Sequence, residues 1–359
     1  MTERIPIAVV GCGYWGAKHI RVLSESPSAN LVMAVDARAD RISRIQDRYR
    51  GVAVSRSVTD ALSSDVAGIV IATPISTHYA LAMAALEAGK HVLVEKPMAM
   101  KASECRRLIA IAERRHLTLM VGHTFEYHPA VDYMRQAVKR GDLGEIYDVS
   151  TRRLNLGLYQ ADTNVLWDLA PHDLSVIFRV IDSPLVDVSA RGCAHVIPGV
   201  EDIVHVHLAF QNAARAHLHL SWLDPVKTRQ ITIVGSESML VFDDMNSCDK
   251  IRTYDRRFKP TPQGDTFADF ETAYHDGDVH IPSLSNQEPL QRELRDFIDA
   301  IATSKRPLAD GYSGLHVVEA LEECSRALAN DGVGSAPSWS VAEWQRRNGQ
   351  IRAVPDRSH

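Results

Sequence analysis

Three residues of this chain have side chains suited to acid–base chemistry at a hydroxyl group. Asp168 and His172 stand four positions apart in a Trp-Asp-Leu-Ala-Pro-His-Asp segment. Residues with this spacing share one face of a helix, so the Asp168 carboxylate can orient the His172 imidazole as a general base. Lys96, in a Glu-Lys-Pro segment, can stabilise a developing alkoxide. Oxidation of a secondary alcohol by this set would also need a hydride acceptor.

The helix that would carry the acid–base pair is predicted over residues 168–181. We expect Asp168 at its N-cap, which places Pro171 in the first turn. A proline is tolerated there because its missing N–H has no intrahelical partner to lose.

A glycine-rich turn near the N-terminus indicates where the hydride acceptor would bind. An apolar run at 5–10 leads into Gly-Cys-Gly-Tyr-Trp-Gly at 11–16, and a helical pattern follows. Strand, glycine turn and helix in this order are typical of a dinucleotide site, where the helix N-terminus faces the pyrophosphate. The residues predicted to contact the cofactor there are Gly11, Gly13, Tyr14, Trp15 and Gly16.

A second buried strand, at 31–35, ends in Asp36. This position lies about 20 residues past the glycines, where an acidic side chain binds the adenosine ribose hydroxyls. Such a carboxylate repels a 2′-phosphate, so Asp36 predicts NAD in preference to NADP. Arg38 is also expected to contact the cofactor, and Arg41 is close enough to weaken the preference.

The composition argues against several classes of protein. The chain has 359 residues, is 45% hydrophobic and 24% charged, and has a net charge of −5 without blocks of like charge. These values argue against a nucleic-acid or membrane surface as the main partner. Five scattered cysteines form no Cys-x-x-Cys motif, and neither a secretory signal nor a membrane span is recognisable. We therefore expect a cytoplasmic protein without a metal centre.

Strand-like and helix-like segments alternate in the first third of the chain, which predicts a parallel sheet covered on both faces. This is the pattern of an α/β Rossmann dinucleotide-binding domain, expected over residues 1–124. The predicted strands are 5–10, 31–35, 68–72, 91–94 and 117–121, and the helices are 16–26, 39–49, 77–88 and 101–115.

The pattern changes after about residue 125, where alternating strands predict an α+β domain with a large, mostly antiparallel open sheet. This domain is expected over 125–286, with residues 255–286 as a long loop. A C-terminal region, 287–359, should contain helices that pack back on the first domain. The predicted strands are 145–154, 186–196, 203–210, 214–222, 229–235, 238–243 and 250–254, and the further helices are 129–140, 288–303 and 311–329.

Four motifs occur in order: the glycine turn, Ala-Thr-Pro-Ile-Ser-Thr-His at 72–78, Glu-Lys-Pro at 95–97 and Asp-x-x-x-His at 168–172. Together they resemble the glucose–fructose oxidoreductase / inositol dehydrogenase (Gfo/Idh/MocA) family over essentially the whole chain. The resemblance implies an NAD-dependent oxidoreductase with Lys96, Asp168 and His172 as its catalytic set. It also implies cofactor contacts from Thr73, Pro74, His78, Glu95, Lys96 and His123, the last standing where relatives often carry Asn.

The same resemblance implies a carbohydrate substrate oxidised at a secondary ring hydroxyl, with a nucleotide-linked sugar slightly favoured over a free sugar or an (amino)cyclitol. The residues expected to bind substrate are Lys96, His123, Arg153, Asn164, Trp167, Asp168 and His172. Two alternatives remain open. One is an NAD-recycling glycosidase of the same family, which cleaves a glycoside without net NADH. The other is a non-catalytic sensor that binds NAD(H) or sugar.

Four histidines, His205, His207, His217 and His219, are predicted to fill the polar face of two neighbouring strands. No carboxylate or cysteine is interleaved at ligand spacing, which favours a polar surface over a zinc site. The family resemblance implies that this sheet associates with a second copy, giving a homodimer or homotetramer. Trp222 would continue the histidine row only if a bulge shifted the register.

Overall fold

The computed structural model describes residues 4–157, 159, 163–258, 274–330 and 332. The chain divides into two compact units, each with its own sheet. The first consists of Met1–His128 and Asn286–Glu319, and the second of Pro129–Ser285 and Ala320–His359. In the part of the chain that is described, no helix is both long and apolar enough to cross a membrane.

The first unit contains a six-stranded parallel sheet in the order 3-2-1-4-5-6, which is the order of a Rossmann fold. The predicted α/β class is therefore confirmed. Its strands are β1 Ile5–Val10, β2 Ala29–Val35, β3 Ala53–Ser55, β4 Gly68–Ile71, β5 His91–Glu95 and β6 Leu119–Gly122. The helices between them are α1 Tyr14–Glu25, α2 Ala39–Arg48, α3 Val58–Ser63, α4 His78–Glu87 and α5 Ala102–Arg114.

Burial explains why these segments form a covered sheet. Every residue of β4 and β6 is buried, as expected for parallel strands with helices on both faces. A later helix of the same unit, α8 (Pro289–Thr303), places Leu290, Leu294 and Phe297 at helical spacing against the core. β3 and α3 were not predicted, because segments of three and six residues are too short to show a period.

The second unit contains an eight-stranded sheet in the order β14-β13-β12-β11-β7-β10-β9-β8. β7 and β10 run parallel and the other neighbouring pairs run antiparallel, which confirms the predicted mostly antiparallel sheet. The helices α6 (Pro129–Arg140) and α7 (Val165–Val180) accompany it, and the last helix among the described residues is α9 (Gly311–Ala329). The strands are β7 Ile146–Leu156, β8 Leu185–Cys193, β9 Ile203–Phe210, β10 Arg215–Ser221, β11 Leu223–Gly235, β12 Met239–Asp243, β13 Ile251–Phe258 and β14 Tyr274–His280.

Two predictions for this unit were wrong. The expected loop at 255–286 contains the end of β13 and all of β14, which pair with each other, while residues 259–273 lie outside the described part. The helix expected to begin at Asp168 begins at Val165, because Asn164 serves as its N-cap and accepts a hydrogen bond from the Trp167 N–H at 3.2 Å. Pro171 consequently lies inside α7.

Candidate active site

The glycine turn has the geometry that a dinucleotide pyrophosphate requires. Gly11 has a φ of +95°, and a Cβ there would lie 2.4 Å from the carbonyl oxygen of Ala72. A Cβ on Gly16 would lie 1.7 Å from the carbonyl oxygen of Gly11. Gly13 is the N-cap of α1 and makes no side-chain cap, and α1 begins at Tyr14, so the positive end of the helix follows directly after the glycine turn. The residues present therefore fit the cofactor that the motif implies.

Asp36 is a buried acceptor at the end of β2 that organises this turn. Its Oδ2 accepts hydrogen bonds from the Cys12 N–H at 2.7 Å and from Arg41 Nη1 at 3.1 Å. Its Oδ1 accepts from the Arg38 N–H at 2.9 Å. Burial raises the pKa of Asp36, but these hydrogen bonds lower it by more, so the carboxylate is ionised at neutral pH. The Arg38 side chain instead pairs with Asp40.

His78 joins the two loops that follow β4 and β5. Its Nδ1 lies 2.9 Å from the carbonyl oxygen of Pro97, and its Nε2 lies 2.9 Å from the carbonyl oxygen of Thr73. The side chain is buried, and burial lowers the pKa of the imidazole. Both ring nitrogens are thus engaged within the protein. The predicted ribose contacts Thr73 and Pro74 belong to the first of these loops, before the 3₁₀ turn Ile75–Thr77.

Glu95 is the last residue of β5, and Lys96 follows it. Glu95 contacts a buried histidine that the sequence motifs do not include. His19, on α1, is fully buried, and its Nε2 lies 2.8 Å from Glu95 Oε1. The Lys96 N–H donates to Glu95 Oε2 at 3.2 Å, and Lys96 itself is half-buried and precedes a cis peptide bond to Pro97. Burial raises the pKa of Glu95, but the hydrogen bond with His19 and nearby positive charges lower it by more. The main-chain N–H of Lys96 therefore donates to an ionised carboxylate.

A second buried carboxyl group lies close to the first. Glu293 on α8 is fully buried and accepts a hydrogen bond from Thr124 Oγ1 at 2.9 Å. Burial and the neighbouring Glu95 carboxylate raise the pKa of Glu293 well above its ordinary value. His123, which follows β6, is also fully buried.

In the second unit, Asp168 and His172 lie on α7 four residues apart, in the first and second turns of the helix. The structure confirms the helical spacing that the sequence predicted. It adds one partner: the indole N–H of Trp222 donates to Asp168 Oδ2 at 3.1 Å. Trp222 directly follows β10, on the side of the sheet that packs against α7 and away from the histidine row.

Three residues predicted to bind substrate have partners inside the second unit. Arg153 is buried and donates from Nε and Nη2 to Asp173 Oδ1, at 3.0 and 2.6 Å. Asn164 caps α7 and donates to Glu201 Oε2 at 2.6 Å. Trp167 donates its indole N–H to Ser325 Oγ at 3.0 Å. The structure gives Arg153 an internal partner where the sequence predicted a substrate group, because odd-numbered residues of β7 face α7.

The four histidines pair across β9 and β10 as the alternation of the strands predicted. His205 stacks on His219 with ring centroids 4.3 Å apart, and the Nδ1 atoms of His207 and His217 lie 2.6 Å apart. His217 Nε2 also lies 2.8 Å from Asp148 Oδ1. Among the residues that the structure describes, no group of three or more His, Cys, Asp or Glu side chains is arranged to hold a metal ion.

The fold and these motifs define an oxidoreductase of the Gfo/Idh/MocA family, to which the chain belongs. Residues 5–123 match the oxidoreductase family model with an NAD-binding Rossmann fold, and residues 131–241 match the Gfo/Idh/MocA C-terminal domain. This confirms the family, the NAD cofactor and the enzyme class that the sequence predicted.

Among individual relatives, the chain is 29% identical to UDP-N-acetylglucosamine 3-dehydrogenase of Acidithiobacillus ferrooxidans, over 87% of this chain and 93% of that protein. The structure of that enzyme superposes with a TM-score of 0.78, 27% identity and coverage of 91% and 98%. Inositol 2-dehydrogenase 1 of Saccharopolyspora erythraea is 33% identical over 53% of this chain and 58% of its own. The WlbA dehydrogenase of Bordetella pertussis, solved with NADH and UDP-GlcNAcA, shares the fold, with a TM-score of 0.78, 21% identity and coverage of 95% and 99%.

Proposed function

We propose that this protein is an NAD-dependent dehydrogenase that oxidises a secondary ring hydroxyl of a nucleotide-linked sugar. The observation that carries the proposal is the similarity to UDP-N-acetylglucosamine 3-dehydrogenase, which extends over 87% of this chain and 93% of the relative, and so over both units. The motifs Glu-Lys-Pro and Asp-x-x-x-His, which suit alcohol oxidation, lie within the matched family segments.

In the proposed cofactor site, the glycine turn and the N-terminus of α1 bind the pyrophosphate, and Asp36 binds the adenosine ribose. Asp36 also fixes the turn through the Cys12 N–H and holds Arg41 beside Gly13. His78 supports the cofactor site by holding together the loops after β4 and β5, since its two ring nitrogens face main-chain carbonyls of these loops. When bound, NAD⁺ supplies the hydride acceptor.

The proposed catalytic residues are Lys96, Asp168 and His172. His172 accepts the hydroxyl proton of the substrate, and Asp168 holds the imidazole in the required orientation. Lys96 stabilises the oxygen as negative charge develops on it. The buried, ionised Glu95 fixes the backbone of Lys96 through a 3.2 Å hydrogen bond. Arg153 stays a predicted substrate residue, and its Nε and Nη2 donate to Asp173 Oδ1, which fixes the guanidinium against α7.

The test is to measure the oxidation of UDP-N-acetylglucosamine, free N-acetylglucosamine and myo-inositol with NAD⁺. The formation of NADH reports the rate. We expect kcat/KM for the nucleotide sugar to exceed the others by about 10² or more, because a site built for polar groups discriminates strongly against substrates that lack them. A preference for myo-inositol would contradict the nucleotide-sugar assignment. Glycoside cleavage without net NADH would favour the NAD-recycling glycosidase, and binding without turnover would favour the sensor.

We also propose that the histidine-bearing face of the second sheet associates with another copy of the chain, as a homodimer or homotetramer. Support comes from the family resemblance and from the face itself, which carries four paired imidazoles on β9 and β10.

A further inference from the structure

Trp222 is held rigidly between β10 and β11. Its side chain is 1% exposed. The main-chain N–H of Trp222 donates to the carbonyl oxygen of Asp202 at 2.9 Å. The main-chain carbonyl oxygen of Trp222 accepts from the Gly157 N–H, also at 2.9 Å. The ring meets Tyr159 edge-on, with centroids 5.1 Å apart, and a Cβ on Gly157 would lie 2.3 Å from the indole. The main-chain bonds to Asp202 and Gly157 and the packing of the ring therefore fix where the indole N–H points.

That N–H donates to a carboxylate oxygen, Asp168 Oδ2, at 3.1 Å. A donor aimed at a carboxylate fixes its plane. Asp168 shares a helix face with His172, and in the proposed reaction its carboxylate orients the imidazole, so fixing that plane supports His172. Packing at this position needs only an aromatic ring, which Phe would also provide. The indole N–H adds a hydrogen bond to Asp168 that Phe could not make.

We propose that Trp222 is a positioning residue for the reaction: its indole N–H holds the Asp168 carboxylate in the orientation that supports His172. This inference rests on the proposed function, because it acts through Asp168. It goes beyond the sequence motif, since Trp222 lies 54 positions from Asp168 in the chain.

The first test is Trp222→Phe, which keeps an aromatic ring against Tyr159 and Gly157 and removes the N–H. With UDP-N-acetylglucosamine and NAD⁺, we expect kcat to fall about tenfold, as for the loss of one hydrogen bond to a charged group. The KM for NAD⁺ should not change. The acid limb of the pH profile of kcat should move, because the carboxylate that supports the general base is no longer held in one orientation. A residue that only packs would lower Tm and leave the acid limb in place.

A double-mutant cycle with Asp168→Ala tests whether the effect passes through that carboxylate. In the Asp168→Ala background, Trp222→Phe should change kcat by less than about twofold, since the partner of the indole is already gone. An equal loss in both backgrounds, or an unmoved acid limb in Trp222→Phe, would overturn the proposal.

A matched control uses another indole hydrogen bond of the second unit, from Trp167 to Ser325 Oγ. In NMR spectra of protein carrying isotope-labelled tryptophan, Asp168→Ala should move the indole N–H signal of Trp222 and leave that of Trp167 in place. Ser325→Ala should do the reverse. A Trp222 signal that is unaffected by Asp168→Ala would overturn the inference without any turnover measurement.

The outcomes separate this inference from the proposed function. If Asp168→Ala keeps the wild-type kcat, the catalytic assignment of the proposed function fails. If Asp168→Ala loses activity while Trp222→Phe keeps both kcat and the acid limb, only the role of Trp222 fails. If no nucleotide sugar is oxidised, the proposed function fails, and the indole signals still decide whether Trp222 holds Asp168.

Discussion

His172 and Lys96 are the residues on which the proposed chemistry depends most directly. Removing a positioned general base costs ~10²–10⁴-fold in rate, and removing a charge-stabilising donor costs about 10²–10³-fold. We therefore expect His172→Ala and Lys96→Met to lose kcat by these factors while NADH affinity stays near wild type. Steady-state kinetics and NADH fluorescence titration measure the two quantities separately.

Matched controls for these variants are His280→Ala and Lys305→Met, at exposed positions, which should leave kcat unchanged. Asp168→Asn should be milder than His172→Ala, because it keeps a hydrogen-bonding group beside the imidazole. A His172→Ala enzyme that retained more than about a tenth of the wild-type rate would show that another group is the base. Lys96, half-buried at the end of β5, would then be the next residue to test.

We expect Asp36 to set the preference for NAD over NADP through a single carboxylate. Asp36→Ala removes the repulsion of a 2′-phosphate and releases Arg41, which pairs with Asp36 at 3.1 Å. We expect the ratio of kcat/KM for NAD to that for NADP to fall by about tenfold or more, the equivalent of one charged hydrogen bond. The control is Asp47→Ala, at an exposed position of α2, which should keep the ratio. Equal use of both cofactors by the wild-type enzyme would refute the role of Asp36.

At the scale of elements, the contact of α7 with β7 depends on a buried ion pair. Arg153 on β7 is 4% exposed, and Asp173 on α7 is 2% exposed. Arg153 donates twice to Asp173 Oδ1, and Asp173 Oδ2 lies 3.3 Å from Thr151 Oγ1. The helix that carries Asp168 and His172 is therefore fixed to the sheet at the residue next to His172.

Because breaking a buried pair leaves a charge without compensation, Asp173→Asn should lower the free energy of unfolding by about 3–5 kcal/mol. Urea denaturation of the purified protein measures this value. Asp187→Asn, at an exposed position of β8 in the same unit, should change it by less than about 0.5 kcal/mol. Equal stability of the two variants would show that the ion pair does not anchor α7.

At the scale of the whole molecule, we expect the proposed association through the histidine face to depend on pH. Burial lowers the pKa of His207, and repulsion from His217 and His205 lowers it further. Burial also lowers the pKa of His219, helped by His205. A histidine whose pKa is lowered in the folded state favours the neutral form, so its contribution is present above about pH 6.5 and is lost as the pH falls below that value.

If this face lies in an interface, lower pH should weaken association, because charging brings like charges together in a desolvated surface. Light scattering from about pH 8 to about pH 5.5 should show dissociation, and the variant His207→Gln/His219→Gln should show a smaller change. A monomer at every pH would refute the interface. An oligomer that is insensitive to pH would refute only the role of the histidines.

Much of the architecture could be predicted because it follows from periodicity and from glycine chemistry. Buried runs separated by amphipathic helices specify a parallel sheet, and alternation on β9 and β10 specifies which side the histidines occupy. The predictions failed where local pattern was weak. The cap at Asn164 places the start of α7 before Asp168. The segment of β14 has the composition of a loop, and it forms a strand because pairing with β13 supplies main-chain hydrogen bonds.

The sequence by itself determined the dinucleotide turn, the Asp168–His172 spacing and the family, since each depends on residues close together in the chain. Only the tertiary structure decided which partners these residues have. It joined Trp222 to Asp168, His19 to Glu95, and Arg153 to Asp173. Each of these contacts depends on strand order and on the side from which a helix packs. Such contacts form between segments far apart in sequence, where no periodicity relates one residue to the other.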